Sequence, residues 1–127
     1  MLLEIRDLAI DLPSPTGARR VVHDVSFSLA AGESLGVVGE SGSGKTMTAL
    51  ALMGLLPDGA AVSGAMRFET RDLAGLGEAE MQKLRGDRLA MIFQEPMSAL
   101  NPLHRIGAQV AEPLILHRAM TKAAAWA

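Results

Sequence analysis

Gly39-Glu40-Ser41-Gly42-Ser43-Gly44-Lys45-Thr46 decides how this chain is read. The stretch spells Gly-x4-Gly-Lys-Thr, and its flanks suit it. Leu35-Gly36-Val37-Val38 ahead of it is a short apolar run, as expected of a parallel strand buried on both faces. Behind it, Met47, Leu50, Ala51 and Gly54 fall at helical spacing, and Pro57 stops that helix. A glycine-rich loop between a strand and a helix is a cradle for phosphate. Glycines let the backbone curl and approach an anion with no Cβ in the way. The curl turns successive N–H groups inward. A helix beginning near Gly44 adds unpaired amides and the positive end of its dipole. Lys45 brings a full charge to the terminal phosphates. The Thr46 hydroxyl suits Mg2+, which takes oxygen ligands. Gly39, Ser41, Gly42, Ser43, Gly44, Lys45 and Thr46 are therefore the nucleotide-binding candidates. Glu40 reads as a solvated side chain, because a carboxylate held against phosphate would repel it.

Toward the N-terminus, Leu3 and Ile5 alternate with polar neighbours, and Leu8, Ile10 and Leu12 alternate in the opposite phase. The flip at Arg6-Asp7 predicts a bulge in a strand over residues 2–12. Pro13-Ser14-Pro15-Thr16-Gly17 reads as a turn. Val25, Phe27 and Leu29 form a half-buried strand, and the two strands suggest an antiparallel hairpin. Toward the C-terminus, Met66 and Phe68 mark another strand, and residues 78–84 a short polar helix. Leu89-Ala90-Met91-Ile92-Phe93 is a second continuous apolar run and so a second expected buried strand. Residues 94–102 form a loop with two prolines. Ile106, Val110 and Leu114 share one face of a helix that Pro113 bends. Thr121 is placed to cap a further helix.

Composition narrows the function. The 127 residues suffice for one small domain or a piece of a larger one, and 49% hydrophobic residues can build a core. Twelve basic against 14 acidic residues give a formal charge of −2, without the basic excess of a nucleic-acid binder. There is no cysteine for disulfides or thiolate metal sites. His23, His104 and His117 fall on different elements at no ligand spacing. No basic n-region precedes an apolar run at the N-terminus, so no signal peptide is expected. The most apolar stretch, residues 47–56, is about half the length of a membrane helix. Membrane association would therefore go through a partner.

The phosphate loop alone leaves ATPase, GTPase and kinase open. A guanine-reading Asn-Lys-x-Asp is absent, since the only asparagine is Asn101, followed by Pro102. The loop together with Phe93-Gln94-Glu95-Pro96-Met97-Ser98-Ala99-Leu100-Asn101-Pro102 resembles the ATP-binding subunit of ABC transporters. More narrowly, it is similar to the oligopeptide/dipeptide/nickel importer branch, whose pattern Gly107, Gln109 and Glu112-Pro113-Leu114 continue. The resemblance implies an α/β P-loop NTPase fold present in part. Residues 1–32 would be the antiparallel β region beside the adenine. Residues 33–103 would hold the P-loop core and Q-loop, and residues 104–127 the start of a helical subdomain. It implies ATP and Mg2+ as cofactors. Gln94 would be the Q-loop glutamine, touching Mg2+ and the attacking water. The implied partners are transmembrane permease subunits through the Q-loop region, a second ATP-binding subunit and, indirectly, a solute-binding protein. The implied place is the cytoplasmic face of the inner membrane.

Two departures bear on activity. The family stacks an aromatic on adenine where this chain has Leu12, so apolar contact remains but the π-stacking term is lost. No apolar run ends in the Asp-Glu of a Walker B strand, and neither a Leu-Ser-Gly-Gly-Gln-like signature nor a switch histidine is found. The resemblance places these beyond Ala127. Phosphoryl transfer is catalysed almost entirely by positioning and electrostatics. The expectation is ATP binding without efficient hydrolysis, and uncovered apolar surface where strands are missing. The rival readings are a non-catalytic nucleotide-binding fragment with no transport role and, against the run of residues 94–102, another P-loop enzyme such as a small-molecule kinase.

Overall fold

The computed structural model describes residues 1–127, which divide into two compact units, Met1–Met81 and Gln82–Ala127. The first is built on a four-stranded antiparallel sheet, β1 (Leu3–Ser14), β2 (Gly17–Leu29), β3 (Ala61–Phe68) and β4 (Arg71–Asp72), in the order β2-β1-β3-β4. Helix α1 (Lys45–Met53) lies between β2 and β3 in the chain. Helix α2 (Glu78–Leu84) has the bounds expected from its polar pattern. It crosses from the first unit into the second.

The bulge at Arg6-Asp7 is real and explains the phase flip. From the Ile5–Phe27 pair to the Leu8–Val25 pair, three steps along β1 face two along β2. The extra residue lets Ile5, Leu8 and Ile10 all point into the core, where each is buried. Asp7 takes a left-handed conformation, φ 49°. Ser26 repairs the interrupted ladder: its Oγ accepts the Asp7 amide proton at 2.8 Å and donates to Asp7 Oδ1 at 3.2 Å. On the other side of β1 the shift falls between Arg6–Ala65 and Ala9–Ser63, so Gly64 lies against the bulge. A Cβ on Gly64 would collide with the carbonyl oxygens of Arg6 and Asp7, and its φ is +93°. Only glycine fits there.

Ala9, Val22, Met66, Phe68, Leu73, Ala51, Met53 and Met81 complete the core of this unit. Val25, Phe27 and Leu29 are half-buried between exposed serines, as their alternation predicts. The hairpin turn is tighter than the Pro-rich stretch suggests, for β1 runs on to Ser14, which pairs with Gly17. Gly54 in the left-handed region ends α1, with Leu55 N–H reaching Leu50 O at 2.9 Å, so the stop comes before Pro57.

Two expected strands do not form. Leu35-Gly36-Val37-Val38 has no strand partner, and Val38 is 97% exposed. Residues 89–93 make only a single bridge, Arg85 to Leu89, and Ile92 is 98% exposed. A parallel strand is stable when neighbours pair both edges and helices cover both faces. The four antiparallel strands offer these runs no such edge.

In the second unit, α3 (Ile106–Arg118) and α4 (Lys122–Trp126) pack against each other. Gly107 makes the close approach possible, because a Cβ there would lie 2.5 Å from the Trp126 ring. Thr121 Oγ1 accepts the Ala124 amide at 3.2 Å and caps α4 as its position predicts. Arg118 pairs with Asp87 at 2.7 Å. Pro113 lies inside α3, and Ile106, Val110 and Leu114 are exposed.

Candidate functional site

The loop between Val38 and Met47 is curled, and Lys45 closes the curl. Its ammonium donates to Gly39 O at 2.5 Å, Glu40 O at 2.7 Å and Ser43 Oγ at 3.1 Å. A turn bond from Ser43 N–H to Glu40 O at 3.1 Å tightens the bend. Gly39 leaves room for this closure, since a Cβ there would sit 2.5 Å from Ser43 Oγ and 3.6 Å from Lys45 Nζ. Two carbonyls and one hydroxyl of the loop thus hold the cation.

Gly44 turns the curl into the helix. It stands at the N-cap of α1 with φ 96° and no side-chain cap. The first helical bond runs from Thr48 N–H to Gly44 O at 2.9 Å, and Thr48 Oγ1 donates to the same oxygen at 2.9 Å. The amides of Lys45, Thr46 and Met47 therefore lack intrahelical acceptors and mark the positive end of α1. A Cβ on Gly44 would come within 2.8 Å of Val21 O and 3.0 Å of Val22 Cγ2. The loop is seated directly on β2, a contact that the one-dimensional pattern does not reveal. Thr46 lies exposed in the first turn of α1, and the loop residues 39–43 are exposed as well.

Leu12 belongs to the same unit. It is half-buried near the end of β1 and pairs across the hairpin with Arg19. Beside it Arg20 donates through Nε and Nη2 to the two carboxylate oxygens of Asp11, at 2.9 and 3.1 Å. That bidentate bond, helped by the guanidinium charge, holds the Asp11 carboxyl below its ordinary pKa.

Gln94 lies in the second unit, exposed, on a hollow of about 450 Å³ lined by Phe93, Gln94, Glu95, Ser98 and Ala99. The short 3-10 turn Pro96–Ser98 shapes one wall. Farther along, one side chain fixes the loop. Gln109 Oε1 accepts the Asn101 amide at 2.8 Å, while its Nε2 donates to Asn101 O at 2.8 Å and His104 O at 3.0 Å. Asn101 Oδ1 in turn accepts the Leu103 amide at 2.9 Å. The sequence shows Gln109 only as part of a pattern. Its amide, with one acceptor and two donors, is what the task requires.

A protein-family model described as ABC transporter matches residues 22–127. The chain is 49% identical over 125 residues to the oligopeptide transport ATP-binding protein OppD of Escherichia coli strain K12, covering 98% of this chain and 37% of that protein. It is 45% identical over 126 residues to OppD of Bacillus subtilis strain 168, covering 98% of this chain and 35% of that one. It is 44% identical over 124 residues to the dipeptide transport ATP-binding protein DppD of Lactococcus lactis, covering 96% and 36%. The chain thus spans little more than a third of the length of these curated relatives. Among solved structures, it superposes on the dimeric bacterial ABC transporter cassette MJ0796 with a TM-score of 0.82 at 21% identity, covering 98% of this chain and 52% of that one. A dimeric post-hydrolysis state of the same cassette, bound to ADP and Pi, gives the same TM-score at 22% identity. The likeness fixes the fold as α/β of the P-loop NTPase kind, with its antiparallel β region and phosphate loop.

Proposed function

Because the chain belongs to the ABC transporter family, we propose that it is the nucleotide-holding part of a subunit that couples ATP to peptide import. The observation that carries this is the closed curl, with the Lys45 ammonium held by Gly39 O, Glu40 O and Ser43 Oγ at the start of α1. In this reading the ammonium shifts from the carbonyls toward the phosphate oxygens of ATP. The amides of Gly42, Ser43, Gly44, Lys45 and Thr46 take up the remaining acceptors. Ser41, exposed in the loop, would add its hydroxyl, and Leu12 would give the base an apolar surface. The exposed Thr46 hydroxyl fits Mg2+, which needs few protein ligands when phosphate supplies others. Gln94 would join it as a neutral amide able to ligate metal and orient water without taking a proton. When bound, Mg2+ supplies charge neutralisation to the phosphates.

The same reading gives the chain its partners: permease subunits approached through the region of Gln94, and a second ATP-binding subunit completing each site. It would act at the cytoplasmic face of the inner membrane, with a solute-binding protein delivering the peptide. No helix of the chain is long and apolar enough to cross a membrane. The second reading, nucleotide binding without hydrolysis or transport, draws on the same loop.

Calorimetric titration with ATP, with and without Mg2+, tests the site in wild type and Lys45→Ala. We expect Mg2+-strengthened binding that Lys45→Ala weakens at least about tenfold while far-UV circular dichroism stays unchanged. Equal affinity in the two proteins would refute the reading. In single-turnover assays no hydrolysis is expected from this chain alone under either reading.

A further inference from the structure

The hairpin beside the phosphate loop carries two adjacent arginines in different circumstances. Arg20 is tied to Asp11 through both carboxylate oxygens. The Arg19 side chain is exposed and makes no hydrogen bond or ion pair. Their places on the strand differ as well. Ile10 pairs with Val22, Asp11 with Arg20 and Leu12 with Arg19, so β2 has one residue more than β1 in this interval, at Val21. That extra residue brings Val22 and Arg19, three apart, onto one face of the hairpin. Ile10 and Leu12, two apart on β1, occupy that face too.

It is the face on which the loop is seated. Val22 Cγ2 and Val21 O are the atoms that a Cβ on Gly44 would strike. Leu12 and Arg19 continue the same face outward, Arg19 lying about 7 Å along the strand from that contact. A nucleotide whose phosphates fill the curl would project its sugar and base away from Gly44. The hairpin surface next to the loop is this pair, a half-buried aliphatic side chain beside an uncommitted planar cation.

We propose that Arg19 is a specificity-determining residue of the nucleotide site, its guanidinium lying against the face of the base while Leu12 supports it from the neighbouring strand. This rests on the phosphate-loop reading given above. Neither residue alone would suffice, for Leu12 has no π-system and offers only apolar contact. A guanidinium, being planar and weakly hydrated, stacks on a purine as it does on an aromatic side chain. Lysine has the charge without the plane. Arg20 is excluded from the role by its bond to Asp11 and by its position on the opposite face.

Calorimetric titrations of the 127-residue chain with ATP and with inorganic tripolyphosphate, both in Mg2+, test this. Arg19→Ala is expected to weaken ATP about two- to fivefold and leave tripolyphosphate unchanged. Arg19→Lys should match Arg19→Ala in the ratio of the two affinities, because charge alone does not stack. Arg20→Ala should keep the wild-type ratio. Adding Leu12→Phe to Arg19→Ala should restore it by supplying an aromatic face in the same place. An Arg19→Ala ratio equal to wild type overturns the proposal, whether both affinities fall together, as for a general attraction to anions, or neither falls. If wild type binds tripolyphosphate as tightly as ATP, the base contact fails and the phosphate loop stands. If wild type binds neither, both fail.

Discussion

Replacing Gly44 with alanine tests how the phosphate loop is held against the sheet. Two separate costs arise. The residue sits at φ +96°, where an L side chain is strained by ~1–2 kcal/mol. The new Cβ would also lie 2.8 Å from Val21 O and 3.0 Å from Val22 Cγ2, one of them a backbone atom of a paired strand that cannot swing aside. Overpacking of that kind costs ~1–3 kcal/mol. Gly42 is the internal control, at φ +81° but with nothing within 4 Å of its notional Cβ. Gly42→Ala should therefore incur the conformational cost alone, and Gly44→Ala ~1–3 kcal/mol more. In a unit of this size each kcal/mol lowers Tm by about 4–8 °C, so thermal melts followed by far-UV circular dichroism resolve the difference. Affinity for tripolyphosphate should fall further in Gly44→Ala, because relief of the overlap moves the helix start off β2. Superimposable melts of the two variants would refute the reasoning, since the loop would then not be seated on β2 as described.

Ser26→Ala removes the hydroxyl that both accepts from and donates to Asp7 at the bulge; urea unfolding should show a loss of ~1 kcal/mol, with Ser26→Thr close to wild type. Gln109→Ala deletes three bonds to the loop at Asn101 and His104. Hydrogen exchange of the Asn101 and Leu103 amides should quicken about tenfold while the Thr121 cap keeps α4 unchanged. The Asp11–Arg20 bond depresses the Asp11 pKa, so its contribution is present above the ordinary carboxylate range and lost as pH falls through the lowered value. The Tm difference between wild type and Asp11→Asn should accordingly be seen at neutral pH and vanish in strong acid. A difference that persists in acid would count against the pairing.

What could be read from the chain beforehand divides along a physical line. Local devices were legible. The phase flip at Arg6-Asp7 announces a bulge because side-chain direction alternates strictly along a strand. The polar pattern of Glu78–Leu84 and the hydroxyl of Thr121 mark a helix and a cap without help from distant residues. The strand-loop-helix grammar around Lys45 foretold the curl and the helix start, although the strand itself did not form. Leu35 to Val38 and Leu89 to Phe93 were misread for one reason. A run of apolar residues states a demand for burial on both faces, but whether neighbours meet it is decided elsewhere in space. Tertiary contacts were likewise invisible: Gly44 against Val21, Gly107 against Trp126, and Gln109 across the loop each join residues between eight and 23 positions apart. Spacing alone gives no sign of such meetings.

The kink shared by β1, β2 and β3 has a consequence for how the sheet fails. Asp7, Asp24 and Gly64 all adopt left-handed conformations, on three adjoining strands. Sliding β3 against β1 by a single residue would carry Gly64 out of line and force an ordinary side chain into the crowded spot facing the Arg6 and Asp7 carbonyls. The kink therefore works as a detent. The sheet can come apart as a whole, but β3 cannot creep past β1 into a shifted pairing, and the central strand beside the ledge that carries the phosphate loop keeps one fixed address.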